Sequence, residues 1–115
     1  MKRGDVYWAD LAPRSGSEQL GRRPVIVVSN DGFNRSPAWR SVIVVPVSTS
    51  VAQARRGPTV FEIPSGVAGL AKASVAVCHQ VTTLDRAKLS RQIGLLPPDL
   101  VNDLDEGLKA ALDLD

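Results

Sequence analysis

Apolar residues in this chain gather into short runs, and the spacing within each run separates strands from helix. Val6, Tyr7, Trp8 and Ala9 follow Asp5 as a first strand over residues 5–9. Residues 24–29 (PVIVVS) and 41–47 (SVIVVPV) are unbroken β-branched runs, the pattern of strands covered on both faces. Pro46 has no N–H to give a neighbouring strand, so it predicts a sheet edge or a bulge in the second run. Residues 59–63 alternate as a half-exposed strand, residues 74–84 make the longest strand candidate, and residues 92–95 a short final one. Between these lie a polar surface loop over residues 13–21, a turn-rich connection over 30–37, a mobile loop over 51–58 with Arg55, Arg56 and Gly57, and one helical turn over 85–89.

One good helix is predicted, and it comes last. Pro97-Pro98-Asp99 is a start signal, because proline fits the first turn and an acid there complements the helix dipole. Leu100, Val101, Leu104, Leu108, Ala111 and Leu112 then recur at helical spacing on one face. The whole predicts a mainly β, β-rich α+β fold: a compact antiparallel barrel capped by a C-terminal α-helix.

Length and composition narrow this picture. The 115 residues suit a single domain, 1–115, with one modest core, and at 4% aromatic content that core rests on Val, Ile, Leu and Ala. Cys78 is the sole cysteine, so neither an internal disulfide nor a cysteine-based zinc site is expected, in keeping with a reducing cytosol. The N-terminus has no apolar stretch behind its basic residues, and no run is long enough to span a bilayer. The expectation is a soluble, intracellular, cytoplasmic protein. The formal net charge of +2 hides a division. From Asp99 onward six acids face Lys109 alone, which leaves the preceding body strongly basic. A basic body rich in arginine favours a phosphate-bearing partner.

No phosphate-cradling glycine loop, dinucleotide fingerprint, HExxH or Cys/His cluster is present, and the acids are scattered or lie on the terminal helix. No metal or cofactor is expected. RNA can be cut without either, because its own 2′-hydroxyl can attack the neighbouring phosphate. The protein then supplies proton transfer and a cation for the charge that builds in the transition state. Arginine suits the cation's task. Arg22-Arg23 stands at the entry to a buried strand, where a side chain is well fixed, though spacing alone favours a solvated pair. Strand alternation sets His79 on the face of Val77 and Val81, a structural or accessory place, and Cys78 reads as a small core residue. Ser48, Thr49 and Ser50 after a buried strand read as turn chemistry.

Four blocks in register nevertheless resemble one family. They are Gly4-Asp5-Val6-Tyr7-Trp8-Ala9-Asp10-Leu11; Gly16-Ser17-Glu18-Gln19 with Arg23-Pro24-Val25; Ser29-Asn30-Asp31 with Asn34-Arg35; and Ser74-Val75 through Gln80 to Thr83-Leu84-Asp85. In order and spacing they are similar to MazF/PemK-type toxins of bacterial toxin–antitoxin systems, over nearly the whole chain. The resemblance implies an SH3-like antiparallel barrel with a C-terminal helix, paired as a homodimer. It implies sequence-specific, metal-independent cleavage of single-stranded RNA, chiefly messenger RNA, leaving 2′,3′-cyclic phosphate and 5′-hydroxyl ends. It also implies a cognate antitoxin whose acidic C-terminal tail occupies the RNA groove.

Residue by residue, the family's catalytic arginine before Pro-Val falls on Arg23. Its catalytic threonine falls on Ser48, a departure that keeps the hydroxyl, with Thr49 one residue away as the other candidate. Glu18 and Gln19 match the flap beside the RNA, Asn34 and Arg35 a pair near the groove, and Gln80 a substrate-side glutamine. Two other classes share such a barrel. Gyrase-poisoning toxins lack the arginine before Pro-Val and the loop pattern, both present here. An inactive interaction module would bind RNA without cutting it, and the serine at position 48 keeps that reading open.

Overall fold

A computed structural model describes residues 1–11, 21–54 and 57–115. Among the described residues the chain forms seven strands: β1 (Asp5–Asp10), β2 (Arg22–Val27), β3 (Ser41–Ser48), β4 (Val60–Ile63), β5 (Ser74–Val77), β6 (Thr82–Asp85) and β7 (Leu89–Leu95). The helices are α1 (Asp31–Arg35), α2 (Val51–Ala54) and α3 (Pro98–Leu112). All strand pairs are antiparallel, in the order β4-β5-β3-β2-β1-β7, with β6 also on β3. This is the expected antiparallel barrel capped by a helix.

The two β-branched runs become the centre of the sheet and are buried along most of their length, as their pattern predicts, though Ile43 is 38% exposed. Val25, Val27, Val42 and Val44 face one core with Ala9, Leu11 and Leu84. Ile26, Val45 and Val47 face the other, with Val6, Ile63, Ala76 and Leu96, and α3 closes it with Leu100 and Leu104. The helix comes in close because Gly107 has no side chain: a Cβ there would lie 2.6 Å from Cys78 Sγ. An Arg3–Asp105 ion pair at 2.8 Å ties α3 to the start of the chain. Leu112 departs from the predicted apolar face. It is 53% exposed at the last position of the helix, before the left-handed Asp113.

The predicted strand over residues 74–84 is broken. A 3₁₀ turn, Cys78–Gln80, separates β5 from β6. β5 pairs with Val47 and Ser48 of β3, and β6 with Ser41 to Val44. The pairing sums of the two ladders differ by three residues, and the turn takes them up. Val45 and Pro46 lie in the gap between the ladders, where a missing N–H costs nothing. Pro46 therefore marks a changeover within a central strand, and the expectation of a sheet edge does not hold. His79 accordingly leaves strand alternation. Its Nδ1 lies 2.7 Å from Thr59 Oγ1, a structural contact.

Other connections are more ordered than their composition suggests. The turn-rich segment holds α1, capped by Asn30 Oδ1 accepting from the Gly32 N–H at 2.6 Å. The expected mobile loop over 51–58 contains α2 and the start of a 3₁₀ turn at Gly57–Thr59, with Arg55 and Arg56 outside the described residues. A 3₁₀ turn, Arg86–Lys88, meets the helical-turn expectation, and β7 begins at Leu89, earlier than predicted. Arg86 reaches back to the α1 segment, where its guanidinium donates to the carbonyls of Phe33 (2.7 Å), Asn34 (3.0 Å), Ser36 (3.2 Å) and Trp39. The polar loop lies outside the described residues up to Gly21. No helix among the described residues is long and apolar enough to cross a membrane.

Candidate functional site

The site begins with register. Val25 of β2 pairs with Pro46 of β3, the last pair of that ladder; two residues further in the same register, past the paired residues, β2 carries Arg23 and β3 carries Ser48. Ser48 pairs with Val75 of β5. A strand-start cation and a strand-end hydroxyl are thus brought to the same end of the two strands. Both line a cavity of about 480 Å³.

That cavity draws cations from three elements distant in sequence. Arg22 and Arg23 come from β2, Lys72 from the segment before β5 and Arg91 from β7, and no carboxylate is among the described lining residues. Positive charge concentrated in a concave wall is the arrangement that attracts and orients a phosphate. Trp8 adds an aromatic wall, with the Arg22 guanidinium 5.7 Å from its ring centroid, a cation–π contact. Arg22 also donates to Ser90 Oγ at 3.4 Å, and Ser90 donates to the Trp8 carbonyl at 3.3 Å, which holds β7 to β1 beside the cavity.

Ser48 is 3% exposed, and its Oγ accepts the Ser50 N–H at 3.0 Å. That contact is the turn chemistry its sequence suggested. It uses a lone pair and leaves the hydroxyl proton to be donated elsewhere. Thr49 is exposed and lines the same cavity, because the strand ends at Ser48 and the next residue is freed from alternation. Both candidate hydroxyls are therefore at the site, and Ser48 is the one in register with Arg23.

The other family-matched residues fall elsewhere. Glu18 and Gln19 lie outside the described residues. Asn34 does not join Arg23: it sits beyond the opposite end of β2 and is 3% exposed. Its amide donates to the Ser29 carbonyl at 2.8 Å and to Asp31 at 3.2 Å, and its Oδ1 accepts from Ser29 Oγ at 2.6 Å. Those bonds fasten its own loop. Asp31 also accepts the Arg3 N–H, and that bond, with the one from Asn34, lowers its pKa from the ordinary value. Arg35 is exposed on the same turn, away from this cavity within the chain. Gln80, half-buried in the 3₁₀ turn, is not in the cavity wall either. Burial pushes the Cys78 thiol up to about 12, which suits a core residue and opposes a thiolate.

Sequence reasoning missed Lys72, Arg91 and Trp8 as site residues. No local signal marks them, since tertiary packing alone brings residues so far apart together. Among the described residues no three His, Cys, Asp or Glu side chains gather as a metal site would require.

Comparison with known proteins agrees with this geometry. Residues 2–112 match the family model of the PemK-like, MazF-like toxin of type II toxin–antitoxin systems. The endoribonuclease EndoA of Bacillus subtilis is 40% identical over 114 residues, covering 99% of this chain and 96% of the relative. The Mycobacterium tuberculosis toxin MazF-mt6 superposes with a TM-score of 0.79 at 29% identity, over 96% of this chain and 98% of its own. A mycobacterial endoribonuclease solved in complex with its cognate antitoxin gives 0.78 at 27%, over 98% and 95%. With a family match along nearly its full length and a full-length relative at this identity, the chain belongs to the PemK-like, MazF-like toxins of type II toxin–antitoxin systems.

Proposed function

We propose that this toxin–antitoxin endoribonuclease cuts single-stranded RNA, chiefly messenger RNA in the cytoplasm, without a metal ion. The 2′-hydroxyl gives its proton to water as its oxygen bonds to the adjacent phosphorus, the P–O5′ bond breaks, and the leaving 5′ oxygen takes a proton from water, so the products carry a 2′,3′-cyclic phosphate and a 5′-hydroxyl. The observation that carries this reading is the cationic cavity with Arg23 and Ser48 in register at its wall. Arg23 stabilises the extra negative charge of the pentavalent phosphorus, since its fork matches two phosphate oxygens. Ser48 donates its remaining proton to a phosphate oxygen, with Thr49 beside it. Lys72 and Arg91 hold flanking phosphates. The described wall offers no carboxylate or imidazole, so charge stabilisation supplies most of the acceleration in this scheme. Glu18 and Gln19 position nucleotides from the flap.

A homodimer is part of the same reading, as is inhibition by an antitoxin whose acidic tail competes for the cations. The mycobacterial relative solved with its cognate antitoxin supports that partner. The experiment is to cut a long defined RNA in EDTA-containing buffer and determine the chemistry at each new end. Undiminished cleavage at fixed sequence positions, with cyclic phosphate at the 3′ side, is expected. A requirement for added metal, or 5′-phosphate products, would overturn the mechanism.

A second expectation concerns the flanking cations. Lys72→Ala and Arg91→Ala each weaken binding to all single-stranded sequences alike. Each flattens the plot of log affinity against log salt by about 0.7, the value for one phosphate contact on a single strand. Titrations between low and moderate salt read the slope, and an unchanged slope in both variants removes these residues from the phosphate path.

A further inference from the structure

A second cavity, of about 340 Å³, adjoins the first and shares Ser48, Thr49 and Ser74 with it. Among the described lining residues its charge is opposite: Glu62 is the one charged side chain there, among hydroxyls and small apolar walls such as Ala54, Pro64 and Ala73. Strand register explains the division. Val75 of β5 pairs with Ser48 on one side and Glu62 on the other, so the three stand in one row across the sheet. Ser48 and Glu62 are two strand spacings apart, about 9.5 Å between backbones, and Arg23 lines the first cavity and not the second. The Glu62 carboxylate repels phosphate. It is exposed on β4 and shares its wall with the hydroxyls of Ser48, Thr49 and Ser74.

We propose that this second cavity is a nucleobase subsite in which Glu62 selects guanine. The inference rests on the RNA-cutting reading of the first cavity. A strand whose phosphate lies among the cations can lay the base of a neighbouring nucleotide across the hydroxyl ridge into the adjoining space. A carboxylate is purely an acceptor, with two oxygens. Guanine alone presents two adjacent donors, N1–H and N2–H, on its Watson–Crick edge, which is the edge read in single-stranded RNA. Adenine, cytosine and uracil each set an acceptor beside their donor, which the second carboxylate oxygen would oppose. The apolar walls take the flat faces of the ring, and the volume lies within the range of small-ligand sites, about 300–1,000 Å³.

The test uses the full chain and a random pool of short single-stranded oligonucleotides in which 2′-fluoro replaces every 2′-hydroxyl, so that nothing is cut. The bound fraction is sequenced for the parent chain and for Glu62→Gln, with thermal unfolding as a check on folding. Glu62 is exposed on its strand, so the substitution is expected to fold normally; Glu62→Ala provides a second variant. The expected result is one position enriched at least about tenfold in guanine, the discrimination of a good bidentate pair. That enrichment should vanish in both variants while preferences at other positions persist. Absence of guanine enrichment in the parent, or enrichment undisturbed in folded variants, overturns the subsite. Cleavage of unmodified RNA by the parent chain is scored separately. Guanine enrichment without cleavage would sink the nuclease reading and leave the subsite standing, whereas cleavage with no binding to the pool would sink the subsite and leave the nuclease reading standing.

Discussion

Arg23→Ala is expected to lower RNA cleavage by at least about 10²–10³-fold while the protein stays folded. The loss is large because a guanidinium aimed at developing charge acts in the transition state, where no water can reorganise quickly enough to replace it. The fold should survive because Arg23 is half-exposed at the first residues of β2, with its backbone held by Ala9 of β1. Stability should move by no more than about 0.5 kcal/mol, the usual range for a surface change. Arg23→Lys keeps the charge but loses the fork, so it should recover only part of the activity. Single-turnover cleavage in EDTA, beside a denaturant unfolding curve, measures both quantities. Full activity in a folded Arg23→Ala protein would remove the arginine from the mechanism.

Gly69→Ala should destabilise the protein by about 2–5 kcal/mol, from a left-handed backbone and an overlap that packing cannot relieve. Gly69 has φ +77°, and a Cβ there would lie 1.9 Å from the carbonyl oxygen of Ile93. The obstacle is β7 backbone, so no side chain can swing aside. Gly94 faces it from the other side, where a Cβ would come within 2.4 Å of the Ala68 carbonyl. The two backbones touch because neither carries a side chain. Gly69, Leu70, Ala71 and Lys72 all line the cationic cavity, so the same substitution pushes that wall outward and weakens RNA binding. Gly66→Ala is the control: it shares the positive φ, at +81°, but meets nothing within 4 Å. It should lose only the conformational cost, about 1–2 kcal/mol. Equal losses in the two variants, read from denaturant midpoints, would disprove the close approach.

How much of this was legible in the sequence depends on where the information lay. β2 and β3 were readable because burial on both faces leaves an unbroken β-branched run. α3 was readable because proline and an acid mark its start and leucines repeat along it. Arg23 and Ser48 stood out only through the family resemblance, since the residues alone favoured a solvated pair and turn chemistry, and their common place at one cavity depends on packing that neither segment encodes alone. Lys72 and Arg91 were invisible for the same reason. Residues 74–84 read as one strand because β-formers recur on both sides of His79-Gln80 with no glycine or proline between them. The three-residue step between two ladders on β3 leaves no mark in hydrophobic patterning. Asn34 was placed near the groove by the family resemblance alone, and in the fold its amide bonds inside its own loop.

The guanidinium of Arg86 has a bearing on how the chain assembles. Carbonyls between Phe33 and Trp39 depend on a donor about fifty residues later, delivered when β6 docks on the beginning of β3. Until that pairing forms, the α1 turn lacks the Arg86 contacts and is held by its cap and by the local bonds of Asn34 and Asp31. Closure of this corner is therefore a late, long-range event, on the slow side of folding. Amide exchange in residues 33–39 should track the opening of β6, so a local weakness at one edge of the barrel is felt at a turn far away in the sequence.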